Sequence, residues 1–250
     1  MRHVSRQNLT GPLSSYLDRM QKRIDDGGEI QKTWDGQRRT RSMRAVEETL
    51  RRMAGARERC MYCEDSRGTD IEHFWPMRGE PGYPERAFRW PNLLWACSGC
   101  NRKKGTRFPL NAAGDPLLID PTHDDPWQHL CFDSDTNELA ARWDRTTGVE
   151  SERGRQTLEI LETLRFEAVA DGRAKTKRNL IRAVRAYLDA ASSRGIADAR
   201  SELIEAIRDN DSYGLATWYF LWEGRDDCPF VDLRKSSPDT WEEIVVELSG

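Results

Sequence analysis

The sequence predicts an α+β protein: a small strand, loop, strand, helix core pinned by four cysteines, with a helical arm before it and a mainly helical region after it. Three observations predict this. Two Cys-x-x-Cys pairs bracket the core, a short strand stretch at Thr69 to His73 and an apolar run at Leu93 to Ala96 lie between those pairs, and apolar residues recur at helical spacing on either side.

The arm covers residues 1–56. Leu13, Tyr16, Leu17, Met20 and Ile24 fall on one helical face, Gly27-Gly28 breaks the pattern, and Ala45, Val46, Thr49, Leu50 and Met53 mark a second segment. Arg38, Arg39, Arg41, Arg44, Arg51 and Arg52 crowd that segment, which suits either a phosphate backbone or plain solvation. His3, beside the terminus, is expected to be disordered.

The core covers residues 57–111. After Cys60-Met61-Tyr62-Cys63, a strand runs from Thr69 to His73 and is stopped by Phe74-Trp75-Pro76. Prolines 76, 81, 84 and 91 keep the next stretch irregular. A second strand covers Leu93 to Ala96, and a helix starts at Cys97-Ser98-Gly99-Cys100; Trp75, Trp90 and Trp95 read as a hydrophobic wall beside the cysteines. Residues 112–150 read as a β-rich connector, through Pro116 to Pro121 and Leu130-Cys131-Phe132. Residues 151–250 read as helical, from Leu158, Leu161 and Leu164, then Leu180, Val184 and Leu188, then Leu203 and Ile207, to a last buried apolar segment at Leu215–Trp222. His123 and His129 are expected in turn or packing roles, and Cys131 and Cys228 as buried free thiols.

Charged residues make up 32% of the chain and hydrophobic ones 37%, and 9 tryptophans need burial, so the composition is that of a folded polar protein. No apolar run is long enough for a membrane span, and the first residues lack the apolar stretch of a secretory signal, which places the chain in the cytoplasm as an expectation. The net charge of −3 hides an asymmetry. Residues 1–111 hold 22 Lys+Arg against 14 Asp+Glu, and residues 112–250 hold 17 against 28. A basic half around the core suits a polyanion, and the acidic half would repel one.

In a reducing compartment, paired Cys-x-x-Cys units are better placed to clamp a metal than to form disulfides. Cys60, Cys63, Cys97 and Cys100 make a closed tetrahedral set for a structural zinc ion. Asp70-Ile71-Glu72-His73 ends the first strand at a loop mouth. Strand alternation separates Glu72 and His73 onto opposite faces unless the chain bends. The cysteine pairs bring that strand end toward Asn101-Arg102-Lys103-Lys104, so His73 and Asn101 can be near neighbours. A base near neutral pKa and hard oxygen ligands for a divalent cation are what phosphodiester hydrolysis requires.

The order Cys60-x2-Cys63, Glu72-His73 with Pro76, Asn92-Leu93, then Cys97-x2-Cys100-Asn101-x2-Lys104 resembles the HNH (ββα-metal) endonuclease family in its zinc-containing form, over about residues 57–107. Tyr62-Cys63-Glu64, Ile71 to Pro76 and Leu118 to Pro126 also resemble the PtuB-like HNH proteins that accompany ATPases in Septu-type and retron-type anti-phage systems. The resemblance implies His73 as general base, Glu72 and Asn101 as ligands of a catalytic Mg²⁺ or Mn²⁺, and Asn92 as a brace for the loop and for His73. Family members more often carry Asp at the Glu72 position, which makes Asp70 a substitute ligand. Arg102 and Lys104 would hold phosphates of a DNA substrate, and the acidic helical region would dock an ABC or SMC-like ATPase of the PtuA type. A catalytically silent zinc-bound adapter for nucleic acid or an ATPase is the competing reading; the joint presence of Glu72, His73, Asn92 and Asn101 favours catalysis.

Overall fold

A computed structural model describes residues 1–144, 146–193, 196–209 and 212–249. It is a mixture of helices and small sheets, as the α+β reading expected. The chain divides into two compact units, one made of His3–Leu130 with Ala140–Leu164 and the other of Cys131–Leu139 with Arg165–Gly250.

The first unit opens with α1 (Gly11–Asp25), α2 (Ile30–Gln37) and α3 (Arg41–Met53). Thr40 caps α3 by accepting from the Met43 amide, and Met43, Val46, Leu50 and Met53 form its buried stripe, which packs on the second core strand. Buried Gln21 of α1 donates to the Pro84 carbonyl and accepts from the Phe88 amide, so a single side chain holds a loop that has no ladder of its own.

The core strands are β1 (Asp70–His73) and β2 (Leu93–Ala96), antiparallel in the register Asp70 to Ala96 and His73 to Leu93. The expected strand and the observed one differ only at Thr69. α4 (Ser98–Lys104) follows β2 directly, with the Cys97 sulfur accepting from the Cys100 amide at its start. Gly68 permits the close approach of β2, because a Cβ there would lie 2.1 Å from the Trp95 indole.

Beyond the core, β3 (Leu130–Phe132) pairs with β4 (Leu139–Ala141), and β5 (Trp143–Asp144) with β6 (Val149–Glu150), before α5 (Glu152–Ile160). The N-terminus departs from expectation. His3 Nδ1 lies 2.9 Å from the Asp124 carbonyl, Val4 is buried and bonds to Pro121, and Arg6 donates to the Trp90 and Leu93 carbonyls and to Thr122 Oγ1. Those long-range hydrogen bonds tie down a terminus that its composition left free.

The second unit contains α6 (Glu167–Ser193), α7 (Ile196–Asp209), α8 (Leu215–Leu221), α9 (Phe230–Ser236) and α10 (Pro238–Ser249). Its aromatic core stacks Tyr219 on Phe230 at 4.2 Å between centroids, with Trp218, Phe220 and Trp241 around them. α9 and α10 lie past the segment at which the sequence reading stopped. In α10 Trp241, Ile244, Val245 and Leu248 recur at helical spacing, a stripe not singled out above, and the two helices bury Phe230, Leu233, Thr240, Trp241 and Ile244. Cys228 is exposed and Cys131 half-buried; neither is in a disulfide, and neither is buried as expected. Within the expected docking region 151–250, residues 194, 195, 210, 211 and 250 lie outside the described residues. No helix among the described residues is long and apolar enough to cross a membrane.

Candidate metal centre and active site

The four cysteines Cys60, Cys63, Cys97 and Cys100 are buried, and their sulfurs all lie within 4.8 Å of one another, with Cys63 and Cys97 4.0 Å apart. Tetrahedral Zn–S bonds of about 2.3 Å place sulfurs about 3.8 Å apart, so the cluster fits a zinc ion with no position left for water. The knuckle is shaped by its backbone. Arg59 bridges Arg67, the Cys60 amide bonds to Ser66, and Glu64 takes a left-handed φ of 58°, a conformation costing about 1 kcal/mol for a residue with a side chain. Met61 fastens the knuckle to β2, its amide donating to the Trp95 carbonyl and its sulfur accepting from the Trp95 amide. The Cys97 thiol is driven strongly toward thiolate by hydrogen bonds from Cys100, Cys60 and Cys63. Thr163 was not anticipated. Its hydroxyl oxygen lies 3.0 Å from Cys100 Sγ, and no sequence signal links positions 63 residues apart.

Glu72 and His73 end β1 and part company, as alternation requires. The Glu72 carboxylate is buried and meets Lys104 Nζ of α4 at 2.7 Å, with side-chain exposures of 6% and 0%. Burial raises the Glu72 pKa, and the Lys104 charge together with the His73 amide hydrogen bond opposes that rise. The Lys104 ammonium also donates to the His73 carbonyl at 2.8 Å. Lys104 was read as a surface cation available to phosphate; as placed, it is enclosed and paired. Asn101 is half-buried, three residues before Lys104 on the same helix. Arg102 is exposed, and Asp70 pairs with Arg38 at the surface at 3.1 Å.

The His73 ring is buried on the other side of β1, edge-on to Trp34 at 4.3 Å between centroids, with Nε2 2.9 Å from the Ala87 carbonyl. A carbonyl only accepts, so Nε2 carries the proton and Nδ1 is left as the basic nitrogen of the neutral ring. Burial lowers its pKa to about 4, which keeps the ring neutral at pH 7. Asn92 sits beneath the loop. Its Oδ1 accepts from the Trp75 amide at 2.7 Å, and its Nδ2 donates to the Trp75 and Arg86 carbonyls at 3.0 and 2.9 Å. Arg86 precedes Ala87, so this brace fixes the segment whose carbonyl holds His73.

One further group belongs to this neighbourhood. The Tyr62 hydroxyl is fully buried without a hydrogen-bond partner among the described residues; burial, then the charges of Glu72 and Asp120, push its pKa well up. His129, outside the site, has Nε2 3.2 Å from an Arg153 nitrogen and Nδ1 3.1 Å from the Ser151 hydroxyl, which is a packing role.

Fold and site together define an α+β protein whose hairpin and following helix are joined by a four-thiolate cluster suited to zinc. Among known proteins, the chain is similar to two called Septu protein PtuB. The one from Bacillus mycoides (strain KBAB4) is 27% identical over 213 residues, covering 73% of this chain and 69% of the relative. The one from Bacillus thuringiensis is 38% identical over 77 residues, and the match covers 29% of this chain and only 27% of the relative. No protein-family model matches the chain, and no solved structure does.

Proposed function

We propose that this chain is a metal-dependent endonuclease of the HNH type that hydrolyses phosphodiester bonds in DNA, acting as the nuclease of an anti-phage defence complex with an ABC or SMC-like ATPase. One observation carries the catalytic part: a neutral, buried His73, anchored through one ring nitrogen to a carbonyl, directly follows a buried carboxylate on a hairpin that the cysteine cluster ties to α4. Anchoring Nε2 reserves Nδ1 as the proton acceptor for a water at a phosphorus centre, and its pKa of about 4 makes it a weaker base than the near-neutral one the sequence led us to expect. Asn92 fixes the Ala87 segment and so the tilt of the ring.

Glu72 and Asn101 would hold the Mg²⁺ or Mn²⁺. Carboxylate and amide oxygens are the donors such an ion prefers, and the Glu72 pocket already seats a positive charge. Bound there, the ion would supply charge neutralisation at the leaving oxygen. Exposed Arg102, on the same helix, is the available phosphate contact. The two relatives named Septu protein PtuB support the defence role, and a PtuA-type ATPase is the partner that this likeness suggests. In this reading residues 1–56 form an arm, 57–111 the ββα-metal nuclease core, 112–150 a connector, and 151–250 the docking region.

Plasmid digestion with and without Mn²⁺, beside His73→Ala, tests the reading, alone and then with the ATPase. Cleavage that needs the metal and is lost with His73 is expected. Cleavage that persists in His73→Ala, or none in either setting, overturns it.

A further inference from the structure

The proposed function gives Lys104 no part, although its ammonium occupies the Glu72 carboxylate. Both ends of this pair are enclosed, at 6% and 0% side-chain exposure, and the separation is 2.7 Å. The ammonium is hitched a second time, to the His73 carbonyl at 2.8 Å, and lies 5.9 Å from the Phe108 ring centroid. A buried pair of this kind is not incidental, because removing water from both charges costs several kcal/mol per ion before their attraction is counted. The carboxylate therefore has an occupant supplied by the chain.

We propose that Lys104 is an internal cation that competes with the divalent metal for Glu72 and so sets the threshold at which the site loads. This rests on Glu72 being a ligand of that metal. Two positive centres cannot share one carboxylate at contact distance in an enclosed pocket without strong repulsion. Loading then requires the ammonium to leave Glu72, and the His73 carbonyl gives it a place to stay. The geometry makes this a short displacement, because the nitrogen is already bonded to both oxygens. The competition also places Lys104 apart from Arg102, whose exposed side chain has no such duty.

The test is Mn²⁺ binding to the zinc-loaded full chain, read from the free-ion electron paramagnetic resonance signal. The variants are Lys104→Met, Lys104→Gln and Glu72→Gln. Removing the competing charge is expected to tighten Mn²⁺ binding about tenfold or more. Glu72→Gln is expected to abolish binding whether or not Lys104 is present. Lys104→Gln can still hydrogen-bond to Glu72 and the His73 carbonyl without a charge, and it serves if Lys104→Met loses zinc and fold. Equal or weaker binding in the folded charge-free variant overturns the competition while leaving Glu72 as a ligand. No Glu72-dependent binding in any variant overturns both the competition and the metal reading on which it rests.

Discussion

Replacing Asn92 with alanine removes three hydrogen bonds at once, to the Trp75 amide and to the Trp75 and Arg86 carbonyls. Asn92 is 3% exposed, so water does not readily replace them. At about 1 kcal/mol net for each, the expected loss is about 3 kcal/mol, a large part of the roughly 5–15 kcal/mol that holds a domain folded. Urea denaturation of the zinc-loaded protein measures it. Amide exchange at Trp75 locates it, since that amide loses its acceptor and should exchange roughly a hundredfold faster for such a change. Asn92→Asp is expected to be at least as damaging near neutral pH, because a carboxylate oxygen would then face the two carbonyls that the amide NH₂ now serves. A loss under about 1 kcal/mol, or an unchanged Trp75 exchange rate, would refute the idea that Asn92 is the brace of this loop.

Two further predictions concern protons and zinc. The folded pKa of His73 is about 4 against an ordinary 6.5, so above pH 6.5 the ring is neutral in both states and its contribution to stability is complete. As pH falls from 6.5 the unfolded chain binds the proton first, and about 3 kcal/mol is lost by pH 4. A His73 imidazole titrating near 6.5 by NMR in the folded protein would contradict this, and His73→Gln should flatten that part of the stability profile. Onto a zinc-bound thiolate the Thr163 hydroxyl donates, so Thr163→Val should weaken zinc binding by roughly ten- to a hundredfold. Competition with a chromogenic chelator reads this against the wild-type affinity, with one zinc per chain expected, and an unchanged affinity would assign Thr163 to packing alone.

The sequence by itself determined the parts that obey local rules. Strand and helix follow from short-range pattern, so β2 falls on its apolar run, β1 ends where Phe74-Trp75-Pro76 stops it, and α4 starts at the second cysteine pair. Cysteine spacing is a short-range signal too, and two pairs flanking one hairpin can hardly converge anywhere else. Alternation along β1 foretold that Glu72 and His73 would face apart. Only the tertiary structure decided what each of them meets. Lys104 looked like a surface cation because nothing in its neighbours marks burial; it is enclosed because α4 leans its face onto β1, where a carboxylate waits. The tautomer of His73 depends on a carbonyl 14 residues away, the sulfur contact of Thr163 on a segment 63 residues away, and the ordering of the N-terminus on Arg6 reaching residues more than 80 positions along the chain. Such pairings are absent from local pattern because the energy that fixes them arises only when distant side chains are desolvated together. That is also why the sequence could point to Glu72, His73 and Asn101 as a site, and only the fold could place the Lys104 charge against Glu72.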